Sequence, residues 1–224
     1  MQAGLHHPHY PRILATQIVL LFITAVMQDH IVMNLLFVLG LFGIYGALIG
    51  AVWEKRAVRF LAIAFGAVAF VGALPALLPG FAWEVQRVTL TVSCVSYVAF
   101  FSVAIFSISR NVFVTDRVTS NLIMGSIVLY LLIGMLFAFV YALFDLVAPG
   151  AVHIPASSGP AVGKLSDFLY FSFSTLTTTG YGDAVPVNSL AKMVASLEGV
   201  TGSIYLAIVV ARLVGMHVMQ KKEG

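Results

Sequence analysis

Six apolar runs of near-spanning length follow one another in this chain, and one polar run falls where an ordinary surface loop does not fit. The apolar runs extend from about Ile13 to Met27, Ile31 to Trp53, Ala57 to Leu78, Val88 to Ile108, Leu122 to Val147 and Leu190 to Met219. A helix needs roughly 20 predominantly apolar residues to cross a bilayer. The pattern therefore predicts an all-α membrane protein with six transmembrane helices. Composition agrees: 9% of residues are charged and mean hydropathy is +1.01, where a soluble domain carries about 25% charge. The first run is short, but no small-residue cleavage site follows it, so it reads as a retained helix rather than a secretory signal.

The positive charges sort by side. With the N-terminus in the cytoplasm, Arg12, Lys55, Arg56, Arg59, Arg110, Arg117, Lys221 and Lys222 fall inside. Arg87, Lys164 and Lys192 fall outside, and Arg212 lies within the last run. That asymmetry predicts both termini on the cytoplasmic side. Asp29, Glu84, Asp145, Asp167 and Asp183 take the outer side, where acids concentrate cations or simply solvate loops. No segment is basic enough to suggest nucleic acid. Cys94 is the one cysteine, which excludes an intrachain disulfide.

Between the fifth and sixth runs, "APGAVHIPASSGPAVGK" reads as an exposed loop. "LSDFLYFSFSTLTTT" is then aromatic and apolar, with Ser166 placed as a helix N-cap. It is too short to cross a membrane, so it should enter and turn back. "STLTTTGYGDAVP", residues 174–186, would follow at membrane depth. Non-helical backbone survives there only when buried in protein or lining a watery cavity. A dehydrated cation needs oxygens in place of its water, and consecutive backbone carbonyls can supply them. Gly180 and Gly182 permit backbone angles that cost other residues dearly. Tyr181 is expected to turn away from the axis onto aromatics of the short helix, whose partly negative C-terminal end would favour a cation.

"TLTTTGYGD", Thr175 to Asp183, resembles the potassium-channel signature sequence, and the likeness extends over about residues 120–219. The resemblance implies a re-entrant pore helix and selectivity-filter loop. The carbonyls of Thr178, Thr179, Gly180 and Tyr181, with the Thr178 hydroxyl, would coordinate K+ ions, with no organic cofactor. Gly182 and Asp183 would support the filter, and Tyr170 and Phe171 fall where the family places aromatics around the filter tyrosine. Two positions depart from the family: Thr179 replaces the usual valine or isoleucine, and Ser174 stands where some members carry a glutamate. One loop cannot surround an ion, so the expected assembly is a homotetramer around a central pore.

The last run carries Glu198, an intramembrane carboxylate that calls for a partner and is expected to support the pore helix through hydrogen bonds. Gly202 falls where the family has a gating glycine, and close helix packing explains it equally well. Ser203, Leu206, Val210, Val214 and Val218 share a helical face as candidate pore and gate linings, with the valines able to close the pore by dewetting. Arg212 is expected to snorkel or to pair with Asp116.

The six-span layout resembles that of voltage-gated channels, yet the fourth run carries Arg87 and Arg110 with no arginine between. A voltage sensor needs several arginines at regular spacing, so little or no intrinsic voltage sensing is expected. Gly40, Gly43, Gly46 and Gly50 read as helix packing, and His6, His7 and His9 as a flexible terminus. The expected organisation is residues 1–11 as a cytoplasmic N-terminus, 12–110 as a four-helix peripheral module, and 111–121 as an interfacial linker. A pore domain follows over 122–219, with pore helix and filter at 165–183 and inner helix at 189–219, and 220–224 form a short tail.

The resemblance implies a passive potassium-selective channel, not an enzyme, in the cell membrane of a prokaryote. Its partners would be copies of itself and lipids, with no nucleic acid and no soluble substrate. A poorly selective cation channel and a non-conducting modulatory or scaffold subunit are the alternatives.

Overall fold

A computed structural model describes residues 10–26, 56–77, 80–114, 118–154 and 165–223. The expected second span with its glycines, the N-terminal histidines, Lys164, Asp116 and Arg117 lie outside the described residues. Among the described residues, six helices and one small sheet follow in order: α1 (Tyr10–Val26), α2 (Arg56–Leu77), α3 (Trp83–Val114), α4 (Ser120–Val147), β1 (Val152–His153), α5 (Leu165–Leu176), β2 (Val185–Pro186) and α6 (Ser189–Glu223). Among the described residues, three helices are long and apolar enough to cross a membrane: Trp83–Val114, Ser120–Val147 and Ser189–Lys221. The apolar parts of α1 and α2 are shorter, at Tyr10–Phe22 and Ile63–Pro75.

Several boundaries differ from the sequence reading, and for one reason. Apolarity marks the membrane-facing part of a helix, while the backbone ladder stops only at a breaker or cap. Asn111-Val112-Phe113-Val114 contains neither glycine nor proline, so α3 runs through the division expected at residue 110. Helix α6 likewise continues to Glu223, through most of the expected tail. Helix α5 begins at Leu165, which puts Ser166 in the first turn rather than at the cap.

Helix α4 has defined ends. Thr119 is extended (φ −129°, ψ 155°), and its hydroxyl accepts a hydrogen bond from the Leu122 amide at 3.2 Å, an N-cap worth about 1 kcal/mol. At the other end Ala148 N donates to Phe144 O at 2.7 Å. The Arg87 guanidinium donates to Leu146 O at 3.1 Å, a cation where the helix dipole is negative.

Helix α4 is the centre of the packing: α1, α3, α5 and α6 all lie against it, and α2 lies against α3. Lipid tails are as apolar as leucine, so helices in a bilayer associate through tight packing and interhelical hydrogen bonds rather than through burial from water. Small residues make the close approaches. Gly125 seats the ring of Tyr10, and Gly134 seats the ring of Phe173. Gly72 admits Ser93, whose hydroxyl donates to Ala69 O at 2.9 Å. Between α3 and α4, Phe139 stacks on Tyr97 (centroids 4.5 Å apart) and on Phe101 (5.6 Å), with Phe100 edge-on to Phe101 at 5.4 Å. Phe139→Ala removes the ring common to both stacks. It should destabilise the fold by about 3–5 kcal/mol, the usual range for emptying a buried Phe site, as measured by chemical unfolding in micelles.

Candidate functional site: the pore loop and the inner helix

Helix α5 buries Phe168, Leu169, Phe171, Ser172 and Leu176, and its last turn delivers the threonine run. Thr177 N donates to Phe173 O at 3.0 Å, and Thr178 N to Thr175 O at 2.9 Å. The chain then leaves the helix. Ser174 O accepts two amides, from Thr179 at 2.9 Å and Gly180 at 3.1 Å. Ser174 thus braces the loop through its carbonyl, while its hydroxyl turns back to Phe171 O at 2.9 Å.

Backbone handedness alternates along this loop. Thr178 (φ 56°), Gly180 (φ 55°) and Gly182 (φ 84°) are left-handed, whereas Thr179 and Tyr181 between them are not. Such alternation aligns successive N–H groups on one side and so turns the carbonyls to the other. The amides of Thr179 and Gly180 face α5, and residues 177–183 are exposed in the single chain. Left-handed geometry costs a non-glycine residue about 1–2 kcal/mol. A β-branched threonine held there is strain of the kind that marks functional backbone.

Side chains behind the loop hold its shape. The Tyr181 ring stacks on Tyr170 with centroids 6.0 Å apart and planes 8° from parallel. The Tyr170 hydroxyl donates to Asp183 Oδ2 at 2.7 Å, and Asp183 Oδ1 accepts from Ala184 N at 2.9 Å. That phenol bond holds Asp183 below the ordinary carboxylate range and, with lesser causes, pushes Tyr170 up to about 12. Phe171 is buried and packs edge-on to Tyr141, 4.7 Å between centroids. Thr177 spends its proton on Phe173 O at 2.7 Å, so Thr179 is the donor in the 2.9 Å contact between the Thr177 and Thr179 hydroxyls. An open cleft of about 280 Å³ lies here, lined by Tyr170, Phe173, Ser174, Thr177, Thr179 and Tyr181.

Beyond the loop, β2 pairs antiparallel with β1, Val152 opposite Pro186 and His153 opposite Val185. Val187 N extends the pairing to Ala151 O at 2.9 Å. Asn188 caps α6 by accepting from Ala191 N at 2.7 Å.

Glu198 is fully buried and joins three helices. Its carboxyl meets the Tyr141 hydroxyl of α4 at 2.6 Å and the Ser172 hydroxyl of α5 at 2.5 Å. Ser172 also lies 2.7 Å from Gly134 O. A second set of contacts sits nearer the end of α5. Tyr130 stacks on Tyr205 at 5.6 Å and donates to Leu176 O at 3.2 Å, while Tyr205 donates to Ser126 O at 2.6 Å. Gly202 is buried beside the same carbonyl, and a Cβ there would collide with Leu176 O. Close packing therefore accounts for this glycine, and it lies apart from the proposed lining face. Ser203, Leu206, Val210, Val214 and Val218 are all exposed in the single chain. Arg212 does not reach solvent alone: its guanidinium donates to Val112 O, and to Phe113 O at 3.0 Å, and lies 5.5 Å from the Phe113 ring centre.

Sequence reasoning missed Tyr130, Tyr141, Ser172 and Tyr205. A signal was present, since a hydroxyl in an apolar helix needs a partner, but the pairings depend on how the helices face each other.

Residues 125–218 match the family described as Ion channel. Over 92 residues the chain is 36% identical to "Two pore potassium channel a" of Oryza sativa subsp. japonica, covering 41% of this chain and 26% of the rice protein. Over this segment the chain is similar to ion channels, a potassium channel of rice among them. The chain spans about a quarter of that relative's length, and no solved structure matches it. The matched segment takes in α4 from Gly125, the whole of α5 and its loop, and α6 as far as Val218.

Two outcomes follow for this segment. Gly202→Ala should lose about 1–3 kcal/mol of stability, the usual cost of overpacking. Gly215→Ala, inside α6 where a Cβ meets nothing within 4 Å, should keep or slightly raise the melting temperature in detergent, since alanine favours a helix over glycine. Glu198→Ala should cost about 1–3 kcal/mol for each hydroxyl it leaves unpartnered, and Glu198→Gln less. The Tyr170–Asp183 bond favours the ionised carboxylate, so its contribution is present at neutral pH and disappears as pH falls through the lowered Asp183 value. Tyr170→Phe should move the Asp183 carboxylate infrared band's midpoint upward in pH.

Proposed function

We propose that this protein conducts K+ passively across a membrane as a homotetramer, with a selectivity filter formed by residues 178–182. The observation that carries this reading is the alternating backbone of Thr178 to Gly182. The amides of Thr178, Thr179 and Gly180 bond to α5, which favours carbonyls on the exposed side. Carbonyl oxygens in series can replace an ion's hydration shell. The carbonyls of Thr178, Thr179, Gly180 and Tyr181, with the Thr178 hydroxyl, are the proposed K+ ligands. Gly182, Asp183, Tyr170, Phe171 and Glu198 keep the loop in place. The rice relative is by name a potassium channel.

A single loop of this kind leaves an ion open on its other sides, which favours closure by four copies around one axis. The open cleft beside Tyr181 and the exposed apolar residues Leu197, Val200 and Ile204 of α6 suit contact with neighbouring copies. Ser203, Leu206, Val210, Val214 and Val218 are the proposed lining face. Helix α3 carries no charge between Arg87 and Arg110, which supports weak or absent voltage sensing. The distribution of Lys and Arg favours cytoplasmic termini and residence in the cell membrane. The Thr179 hydroxyl, bonded to Thr177, favours one further reading, a less selective cation channel.

The test is the reversal potential of reconstituted protein in opposing K+ and Na+ gradients. A potential that follows K+ is expected, and a value near zero would support the less selective reading. Silence from intact tetramers would indicate a non-conducting subunit. Gly180→Ala should abolish selective current while leaving the tetramer assembled, because Ala is strained at φ 55°.

A further inference from the structure

Two arginines hold the two ends of α3, each by donating to backbone carbonyls at the end of a helix. On the filter side, Arg87 of α3 reaches Leu146 O in the last turn of α4. At the opposite end, Arg212 of α6 reaches Val112 O and Phe113 O in the last turn of α3. The final carbonyls of a helix have no partner within it and carry the negative end of its dipole. A guanidinium with donors on two nitrogens can satisfy two such groups at once. The Phe113 ring beside the Arg212 guanidinium adds a cation–π contact.

The placement of Arg212 gives this contact its meaning. It is the only Asp, Glu, Lys or Arg in α6 between Glu198 and Lys221. At 1.5 Å per residue it lies about 35 Å along the helix from Ser189, far beyond the Glu198 and Gly202 contacts. Helix α3 packs along α4 rather than along α6, so the guanidinium joins two helices that share little other surface. It sits on the same side of α6 as buried Met216, whereas Val210, Val214 and Val218 are exposed. A tie toward α3 therefore pulls this part of α6 away from the valine face.

We propose that Arg212 is a positioning residue that staples the gate-bearing half of α6 to the end of α3 and so favours the open pore. This inference rests on the channel reading, because only there do the valines line a path. With Arg87 holding the other end, α3 is a fixed strut rather than a moving charge carrier. Narrowing the pore at Val210, Val214 and Val218 moves α6 toward the axis and away from α3, which breaks the staple. The bond is thus present in one gate position and absent in the other, as a bias on a two-state element requires.

Two measurements on the full chain test this. In single-channel recordings, Arg212→Ala should lower open probability at least about fivefold, the low end of typical coupling between two states. Unit conductance and reversal potential should stay as in the parent, because the filter is untouched. Arg212→Lys, which keeps the charge but loses the two-nitrogen fork, should fall between them. Independently of current, spin labels at Val114→Cys and Met219→Cys in a Cys94→Ala background, diluted with unlabelled protein, should give one narrow distance. Arg212→Ala should lengthen or broaden it. An unchanged label distance in assembled Arg212→Ala protein overturns the staple, and a changed distance with unchanged open probability overturns the coupling. A silent parent protein would count against the channel reading, while the label distance would still decide the staple.

Discussion

The carbonyl oxygen of Ser174 accepts two backbone amides at once, from Thr179 and Gly180. With both N–H groups directed at α5, the alternating backbone favours carbonyls on the other, exposed side of the loop. A threonine in left-handed geometry is strained, so an arrangement like this persists only if its surroundings hold it. Helix α5 therefore has to be fixed more firmly than a free twelve-residue helix could be. Glu198 fixes it through Ser172, Gly134 through the Phe173 ring, and Tyr130 and Gly202 at the Leu176 carbonyl. Each of those contacts is local, and each bears on the position of the same short helix.

Polar contacts matter more here than in a water-soluble core. Apolar side chains gain little from one another when the alternative neighbour is a lipid tail. The hydroxyls of Tyr130, Tyr141, Ser172 and Tyr205 lie on the helices around the loop, and each finds a named acceptor. Such directional bonds specify one arrangement of helices, which the aromatic stack between α3 and α4 alone would not do.

Much of this was legible in the sequence, for physical reasons that vary from one feature to another. Three of the apolar runs correspond to helices long and apolar enough to cross a membrane, legible because the bilayer tolerates little else. The glycines and tyrosine of the loop were legible because few residues can adopt its backbone or brace it. The expected stacking of Tyr181 on the short helix corresponds to the contact with Tyr170. Glu198 could be singled out because a carboxyl in an apolar helix is costly without partners, yet which hydroxyls would meet it depended on helix rotation. Gly202 stayed ambiguous for the same reason. A glycine in sequence looks alike whether it bends a helix or admits a carbonyl. Helix ends were the least legible, since the residues that flank a membrane are as helical as those inside it.

The small sheet has a topological consequence. Val187 N and the β1–β2 pairing join the end of α4 to the strand leaving the loop, while Ser174 and Tyr170 hold the loop to α5. The loop is thus clamped at entrance and exit by non-covalent bonds, one set to α5 and one to the strand that follows α4. Its two ends are therefore anchored to different parts of the fold, and a shift of α4 against α5 would be felt as torsion of the loop between them.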